Sequence, residues 1–354
     1  MFTENERQRL RRDLLTHYDA YGRALPWRIR PEDRARGVTP DPYAIWLSEI
    51  MLQQTTVAHG TDYWHRFLEV FPTVMDLANA PREQILSMWA GLGYYARARN
   101  LHKCAQIIRD DYAGRFPESE AALLKLPGIG PYTAATLAAI CFGEATNIVD
   151  GNVERVISRL FAVEQPLPKG RRELRWLAST LVGPDRPGDY GQALMDLGSQ
   201  VCAPRNPKCE ACPWHWACAA RKAGTQTAYP KKVKKAKLPI RYGTAFVLAH
   251  DAHIFMQVRP DKGLLGGMLS FPGSDWMDTL PENPLADAPV KRNWEQMEGE
   301  VRHIFTHFDL RLKVYRSHIA TRPELEGVWV PLGEVEGRAL PTVMKKVLKL
   351  AKVA

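Results

Sequence analysis

The sequence predicts two domains, an all-α domain followed by a smaller α+β domain. A length of 354 residues favours more than one domain. Apolar residues recur at helical spacing through most of residues 1–225, which is typical of helices with one buried face. From residue 242 onward, β-branched and aromatic residues alternate with polar ones, as they do in half-buried strands.

The helices of the first domain are predicted from this spacing. The segments are 6–21, 43–53, 56–70, 82–90, 95–112, 131–142, 150–162, 171–182 and 187–200. Proline and glycine stand between them and are expected to end them. The polar segment 30–42 is predicted to be a surface loop, and the helical domain is placed at 1–225.

A lysine-rich linker is predicted at 226–241, because five of the seven residues 231–237 are lysine. Such a run is usually a solvated connection, and it can also contact phosphate groups. The second domain then covers 242–354. Helices are expected in it near 284–297 and 341–351, among several strands.

The net charge indicates the kind of partner that the protein binds, and the distribution of apolar residues indicates the compartment in which it works. The net charge of +9 favours a polyanionic partner, although an ordinary basic protein has the same charge. No apolar run is long enough to span a bilayer, and the polar amphipathic N-terminus lacks the core of a signal peptide. We therefore expect a cytoplasmic protein with access to DNA.

Four of the six cysteines crowd into one short segment: Cys202, Cys209, Cys212 and Cys218. In a reducing compartment this density indicates a metal site rather than disulfides. The spacing C-x6-C-x2-C-x5-C suits either zinc or a four-iron cluster. Either one would be structural, because four thiolates leave no position for a substrate. Cys104 and Cys141 lie in apolar helical patterns and are expected to be buried core thiols.

The segment LPGIGPYTA (126–134) predicts a glycine-rich hairpin between two helices. Gly128 and Gly130 permit positive φ and leave backbone N–H groups pointing outward, and Pro131 suits the first turn of a helix. Free N–H groups at a helix start bind a phosphate without reading the sequence. A tight helix–helix turn without any ligand would show the same pattern.

An aspartate follows this hairpin in VDGNVERV (149–156). Taken alone, Asp150 fits the N-cap of a helix that begins near Val153. Beside a bound phosphate, the same carboxylate would lie next to the attached sugar. Cleavage of a glycosidic bond builds positive charge on the sugar, which a nearby carboxylate stabilises.

The hairpin, the aspartate and the four-cysteine loop occur in the order seen in the helix-hairpin-helix DNA glycosylases that carry an iron–sulfur cluster. Within that group the chain resembles the MutY-type adenine DNA glycosylases, which remove adenine mispaired with 8-oxoguanine. WLSEIMLQQT (46–55) and GLGYYARARNL (91–101) are its most specific stretches, and the resemblance covers nearly the whole chain. It implies a six-helix barrel, a [4Fe-4S] cluster module and a C-terminal domain similar to Nudix hydrolases.

The resemblance implies roles for two carboxylates. Glu49 would be the general acid that protonates adenine on N7, which requires a pKa raised by an apolar site. Asp150 would stabilise the oxocarbenium ion, or attack it to give a covalent intermediate. Tyr132 and Asn152 match positions that assist this pair.

Other positions are matched to the DNA. Gln53, Gln54 and Thr55 resemble a loop that enters the duplex near the vacated space. Leu92 and Tyr94 resemble a wedge that unstacks the opposite base, although both also fit core positions at helical spacing. Three residues match the neighbourhood of the flipped adenine: Arg28, Trp46 and Gln192.

In the second domain, Phe305, Thr306 and His307 match the F-S-H recognition of 8-oxoguanine in this family. Threonine here replaces the usual serine, which keeps the hydroxyl and adds a methyl group. Leu265 in GLLGGM (263–268) stands where a tryptophan is common. Without the family context, FTH would be assigned to an ordinary strand.

Three other functions would each require residues that this sequence lacks, or would leave its two carboxylates without a role. An endonuclease III-like glycosylase/lyase acting on oxidised pyrimidines needs a lysine for its Schiff base, and Tyr132 occupies that position. A Nudix nucleotide hydrolase needs an R-E-x-x-E-E metal box, which 282–300 lacks. A DNA-binding protein without catalysis would need neither Glu49 nor Asp150. The resemblance thus implies a monofunctional enzyme that acts on A:8-oxoguanine or A:G mispairs in double-stranded DNA and leaves an abasic site. We expect it to be a bacterial monomer that is associated with the nucleoid when bound.

Overall fold

The computed structural model describes residues 1–233, 237–260, 263–338 and 340–353. Contacts between residues divide the chain into two units, Met1–Asn79 with Asn100–Lys234 and Ala80–Arg99 with Lys235–Ala354. The domain limits expected at 225 and 242 stay a prediction, and linker residues 234–236 lie outside the described residues. None of the helices described has the length and apolar character that crossing a membrane requires.

The α-helices are α1 (Glu4–Tyr21), α2 (Pro31–Ala35), α3 (Pro42–Met51), α4 (Val57–Val70), α5 (Val74–Asn79), α6 (Arg82–Met88), α7 (Ala96–Tyr112), α8 (Glu120–Leu123), α9 (Pro131–Phe142), α10 (Gly151–Leu160), α11 (Arg171–Ser179), α12 (Pro187–Asp196), α13 (Ala219–Lys222) and α14 (Thr342–Leu350). Every helix predicted for residues 1–225 is present. The short helices α2, α5, α8 and α13 were not predicted, because four to six residues are too few to show a period. The first of them lies inside the expected loop 30–42.

The core of the helical unit brings together residues of four helices and of the cysteine loop. Buried residues of α1, α10, α11 and α12 form one apolar cluster, with Leu10 and Ile157 fully enclosed. Trp214 from the cysteine loop joins it, and its Nε1–H donates to the carbonyl of Leu10 at 2.9 Å. Cys104 is buried as expected, and Cys141 is half-buried. The cysteine loop and α10 are therefore parts of a single core.

The strands of the second unit are β1 (Ile240–His250), β2 (His253–Val258), β3 (Leu269–Ser270), β4 (Glu295–Gln296), β5 (Val301–Ile304), β6 (Asp309–His318) and β7 (Val328–Pro331). They form a mixed sheet in the order β3-β2-β1-β6-β4, with β5 also on β6 and β7 on β2. β1 and β6 run parallel, with Ile240 opposite Asp309 and Gly243 opposite Leu312. The inward faces of these strands and α14 share one apolar core.

Of the two helices predicted for this domain, one is confirmed and the other prediction is wrong. The helix near 341–351 is confirmed as α14. The segment 284–297 instead forms turns that end in β4. Pro284 and Pro289 lack N–H donors, so they oppose a helix through this region. Asn283 also accepts a bond from the N–H of Leu285 at 3.1 Å, which stabilises a turn there.

Candidate active site

A cavity of about 300 Å³ opens in the helical unit. It is lined by eight of the residues selected from the sequence: Arg28, Glu49, Gln53, Thr55, Tyr132, Asp150, Asn152 and Gln192. Its other walls include the apolar side chains of Ile45, Leu52 and Ile140. Residues that lie more than a hundred positions apart in the sequence thus share one partly apolar space.

Glu49 is held on this wall by α3. The helix begins after the N-cap Asp41, whose carboxylate accepts a bond from the N–H of Tyr43 at 2.9 Å. Burial raises the pKa of Glu49 to about 7, against the opposing effects of Tyr132 and Arg28. A carboxyl group with that pKa still carries its proton in part of the molecules at neutral pH, so it can act as a general acid.

Tyr132, near the start of α9, interacts with both carboxylates. Its hydroxyl lies 3.2 Å from Met195 Sδ and also interacts with Glu49. Burial, and then the neighbouring Glu49 and Asp150, raise the pKa of Tyr132 well above its usual value. The phenol therefore remains protonated and serves as a donor, not as a base.

Asp150 is both the N-cap of α10 and a cavity residue. Its Oδ1 accepts a bond from the N–H of Val153 at 2.7 Å, and its Oδ2 accepts one from Asn152 Nδ2 at 2.8 Å. The simple capping role and the catalytic role are thus compatible. The cap fixes the direction of the carboxylate, and the N-cap position places it at the positive end of the helix dipole.

Arg155 was missed by the sequence reasoning and connects Asn152 to the chain beside Cys202. Its Nη2 donates to Asn152 Oδ1 at 2.9 Å and to the carbonyl of Gly198 at 2.6 Å, and its Nε donates to the carbonyl of Cys202 at 2.8 Å. A Cβ on Gly198 would lie 2.6 Å from Asn152 Cβ, so only glycine permits this approach. The three-residue spacing from Asn152, which puts both on one face of α10, was the available signal.

The residues matched to the flipped base differ in their surroundings. Arg28 makes a bidentate ion pair with Asp196, at 2.7 and 3.0 Å, and both side chains are less than a tenth exposed. Gln192 donates to the carbonyl of Gly188 at 3.3 Å. Trp46 does not line the cavity. Only 1% of it is exposed, and its ring packs edge-on against Phe116 in the core.

The loop and wedge positions are divided between buried and exposed sites. Gln53 and Thr55 line the cavity, whereas Gln54 is exposed with a φ of 59°. In the other unit, Leu92 is 6% exposed and Tyr94 is 52% exposed with a φ of 49°. Leu92 is therefore a core residue, which is the alternative that its helical spacing allowed. Tyr94 is the side chain available for contact with a ligand.

The hairpin between α8 and α9 presents two glycines to solvent. Gly128 has a φ of 80°, and a Cβ there would lie 2.7 Å from Asn100 Cβ. Gly130 is the N-cap of α9 and has a φ of −91°, so it does not use the positive φ that was expected. A Cβ built on Gly130 meets nothing within 4 Å, which leaves the start of the helix open to a ligand.

The four clustered cysteines share one loop and are half-buried. Arg159 Nη1 donates to Cys202 Sγ at 3.3 Å, and Cys218 Sγ donates to the Arg159 carbonyl at 3.4 Å. Burial, with a smaller contribution from the other three thiols, raises the pKa of Cys212 to about 12. Within the described ranges, no group of three or more His, Cys, Asp or Glu side chains is arranged to hold a metal ion.

In the second unit, the matched residues form the tip of a hairpin rather than part of a strand. The N–H of Phe305 donates to the carbonyl of Phe308 at 2.8 Å, which closes the turn between β5 and β6. Thr306 and His307 are exposed at the tip, and Phe305 and Phe308 are half-buried beneath it.

Comparison with known proteins decides the family. The human protein named adenine DNA glycosylase is 33% identical over 401 residues, and the alignment covers 96% of this chain and 73% of that protein. This chain belongs to the adenine DNA glycosylase family. A relative of the same name from Buchnera aphidicola is 29% identical, with 96% of this chain and 97% of that protein covered. Members of the family are typically iron–sulfur proteins.

The domain matches support the same assignment. The model of the HhH-GPD superfamily of base excision DNA repair proteins matches residues 47–178, and the NUDIX domain model matches 244–350. A thermostable thymine-DNA glycosylase of known structure is 32% identical, with a TM-score of 0.54 over 62% of this chain and 98% of its own. An endonuclease III bound to DNA has a TM-score of 0.51 at 22% identity, which supports the fold alone. The predicted fold class and the base excision DNA glycosylase activity are confirmed.

Proposed function

We propose that this enzyme excises adenine from A:8-oxoguanine and A:G mispairs and leaves an abasic site without cutting the strand. The observation that carries the proposal is that Glu49 and Asp150 face one cavity in two different environments. Adenine as the base is taken from the names of the relatives. Tyr132 at the lyase lysine position supports the monofunctional reaction, because a phenol forms no Schiff base.

The proton would come from Glu49. Adenine leaves poorly as an anion, and a proton on N7 lets it leave neutral. Apolar walls keep that proton on the carboxyl group in part of the molecules near pH 7, and Tyr132 orients the group by hydrogen bonding. Arg28, fixed by Asp196, and Gln192 would shape the base site, while Trp46 would support α3 from the core.

Asp150 would act on the sugar. Its two oxygens are fixed by the N–H of Val153 and by Asn152, so the carboxylate needs little rearrangement as positive charge develops. The same position suits direct attack on the anomeric carbon, in which case water resolves the sugar–carboxylate bond. Both routes depend on the charge of Asp150 and place the oxocarbenium-like state beside it.

The DNA would be held by contacts that do not read its sequence. The open start of α9, with Gly128 and Gly130 before it, suits one backbone phosphate. Tyr94 would wedge into the stack, Leu92 would support its segment from the core, and the loop Gln53–Thr55 would enter the vacated space. We further propose that the enzyme works as a monomer in the bacterial cytoplasm.

We assign a [4Fe-4S] cluster to Cys202, Cys209, Cys212 and Cys218. Neighbouring thiols contribute to the raised pKa of Cys209, Cys212 and Cys218, so bound cationic iron would relieve the repulsion between the thiolates. A four-iron cluster is favoured over zinc because members of the family are typically iron–sulfur proteins, and such a cluster binds one thiolate at each of its irons. When bound, the cluster supplies structural stability to the loop.

Lesion recognition would lie with Thr306 and His307. 8-Oxoguanine differs from guanine by a carbonyl oxygen at C8 and an N–H at N7. The hydroxyl of Thr306 and the imidazole of His307 can pair with these groups, and both are exposed at the hairpin tip. A site built around such polar partners binds the base that lacks them less tightly.

The test is product analysis with a duplex that contains one A:8-oxoguanine pair. We expect free adenine in amounts equal to the abasic sites, with strand breaks appearing only after alkali or heat. A duplex with an oxidised pyrimidine in place of adenine is the control and should stay intact. Spontaneous nicking through an imine that borohydride traps would contradict the proposal, as would the absence of free adenine.

A further inference from the structure

An aromatic cluster lies directly under the exposed tip of the β5–β6 hairpin. The ring of Trp276 stacks on Phe305, with centroids 5.6 Å apart and planes 27° apart. It also meets Phe308 edge-on at 6.1 Å, and Phe305 and Phe308 touch each other at 5.0 Å. Thr306 and His307 lie between these two phenylalanines in the sequence, so Trp276 holds both ends of the four-residue turn.

The sheet fixes the position of Trp276. Its neighbour Met277 exchanges two backbone hydrogen bonds with Tyr242 of β1, at 2.7 and 2.9 Å. The indole then lies over Gly243, where a Cβ would come within 2.8 Å of Trp276 Cδ1. The glycine at the fourth position of β1 therefore makes room for the ring. Since β1 and β6 are paired, the indole is fixed next to the strand that starts at the hairpin.

A cation covers the same indole. The guanidinium of Arg259 lies 5.3 Å from the centre of the Trp276 ring, at cation–π distance. Its Nε donates to the carbonyl of Leu264 at 3.2 Å, inside the GLLGGM segment. Arg259 thus connects Trp276 to a second loop and restrains the ring from outside the core.

The base of the hairpin is fixed independently of this cluster. Arg302 pairs with Asp309 across β5 and β6, with Nη2 and Oδ2 2.8 Å apart. The N–H of Asp309 also donates to the carbonyl of Pro239 at 2.9 Å. Loss of Trp276 should therefore leave the strands paired and affect mainly the tip.

We propose that Trp276 is a positioning residue for lesion recognition: by stacking on Phe305 and bracing Phe308, it holds Thr306 and His307 in the arrangement that contacts the base opposite adenine. This inference rests on the proposed role of those two residues. A mobile tip would lose some of the preference for 8-oxoguanine over guanine, because ordering it on binding costs conformational entropy. Excision from A:G, which does not use the lesion contacts, should change little.

The test compares W276L with W276F. Leucine keeps an apolar contact with the core but has no ring face, whereas phenylalanine restores stacking. We expect W276L to lower the ratio of kcat/KM for A:8-oxoguanine over A:G by roughly 2- to 10-fold, the size of one aromatic pair, and W276F to recover most of it. The single-turnover rate at saturating enzyme should stay near wild type on both duplexes. W176A, at a tryptophan that is 55% exposed on α11, is the matched control and should leave the ratio unchanged.

Combination with H307A makes the test specific. If Trp276 acts through the tip, W276L should lower the ratio much less in the H307A background than in the wild type. Equal loss on both duplexes, an unchanged ratio in W276L, or full additivity with H307A would overturn the proposal. If W276L does not fold, R259M loosens the same indole from the surface, and an unchanged ratio there overturns it too. A wild-type enzyme that releases no adenine would instead contradict the proposed function.

Discussion

Replacement of Glu49 by glutamine should stabilise the fold at high pH while it abolishes catalysis. The two effects have one cause, the burial that raises the pKa of Glu49 from 4.5 to about 7. In the unfolded chain the carboxyl group loses its proton near pH 4.5, whereas the folded protein keeps it until about pH 7. Between these values the folded state binds more protons, so the free energy of unfolding falls as pH rises.

The structure sets the size of this effect. A pKa difference of about 2.5 units corresponds to at most about 3 kcal/mol, and access of solvent to the cavity reduces it. The wild type should therefore lose up to that amount, relative to E49Q, between pH 4.5 and pH 7, and no more above pH 7. Below about pH 7, where Glu49 keeps its proton in the wild type, catalysis should fall by at least ~100-fold in E49Q, as general acid loss predicts, and the difference should shrink at higher pH.

Urea unfolding of both proteins at pH 5 and pH 8 measures this difference, together with single-turnover excision. Groups that titrate alike in the two proteins cancel, so the change in the difference reports Glu49 alone. We expect E49Q to gain stability relative to the wild type at pH 8 and to bind the mispair with unchanged affinity. A stability difference that does not vary with pH, or an E49Q variant that excises at the wild-type rate, would refute the reasoning.

The other predictions concern the second carboxylate, the cysteine loop and the two domains. D150N should abolish turnover in a single-turnover assay while a filter-binding assay shows retained affinity, because the lost charge matters chiefly in the transition state. C209S should lower iron content, unfolding temperature and DNA affinity together; an iron-free variant with normal stability and affinity would argue against the assignment. T306A/H307A should weaken binding to A:8-oxoguanine by roughly 1–3 kcal/mol more than binding to A:G. A chain that ends at residue 237 should still excise adenine but discriminate poorly between the two mispairs, and full discrimination by it would place lesion recognition elsewhere.

The end point of that truncation comes from the structure, not from the sequence. Composition alone suggested a limit at 225, where the lysine-rich stretch begins. In the structure, the residues that follow 225 pack against the rest of the helical unit. Tyr229 is buried, and its carbonyl accepts a bond from Arg159 at 3.2 Å. Leu167 also exchanges backbone bonds with this segment, at Lys231 and Val233. A cut at 225 would remove these contacts and destabilise the helical unit.

The sequence predicted the parts of the site whose residues have a local signature. The caps and apolar period of α3 and α10 are readable from consecutive residues, and the long stretches WLSEIMLQQT and GLGYYARARNL carry the family resemblance. The resemblance then selected Glu49, Tyr132 and Asp150, which the structure brings into one cavity.

What the sequence did not predict depends on long-range packing. Nothing near Arg28 indicates that Asp196, far along the chain, takes up its guanidinium. Trp46 belongs to the signature stretch, yet the side of α3 on which it lies faces Phe116 in the core. The contacts of Arg155 depend on the carbonyls of Gly198, inside the π-helical turn Leu197–Val201, and of Cys202, directly after it, and no pattern in the sequence predicts that turn.

The pH dependence of adenine excision tests the central claim most directly, namely that the half-buried Glu49 supplies the proton. Single-turnover rates at saturating enzyme, measured from pH 5.5 to 9 on an A:8-oxoguanine duplex, exclude binding and product release from the result. We predict a rate that is highest below the pKa of Glu49, which is about 7, and that falls by about tenfold per pH unit well above it. A rate that stays constant up to pH 9 would contradict the account, because the folded enzyme would then excise adenine with Glu49 ionised.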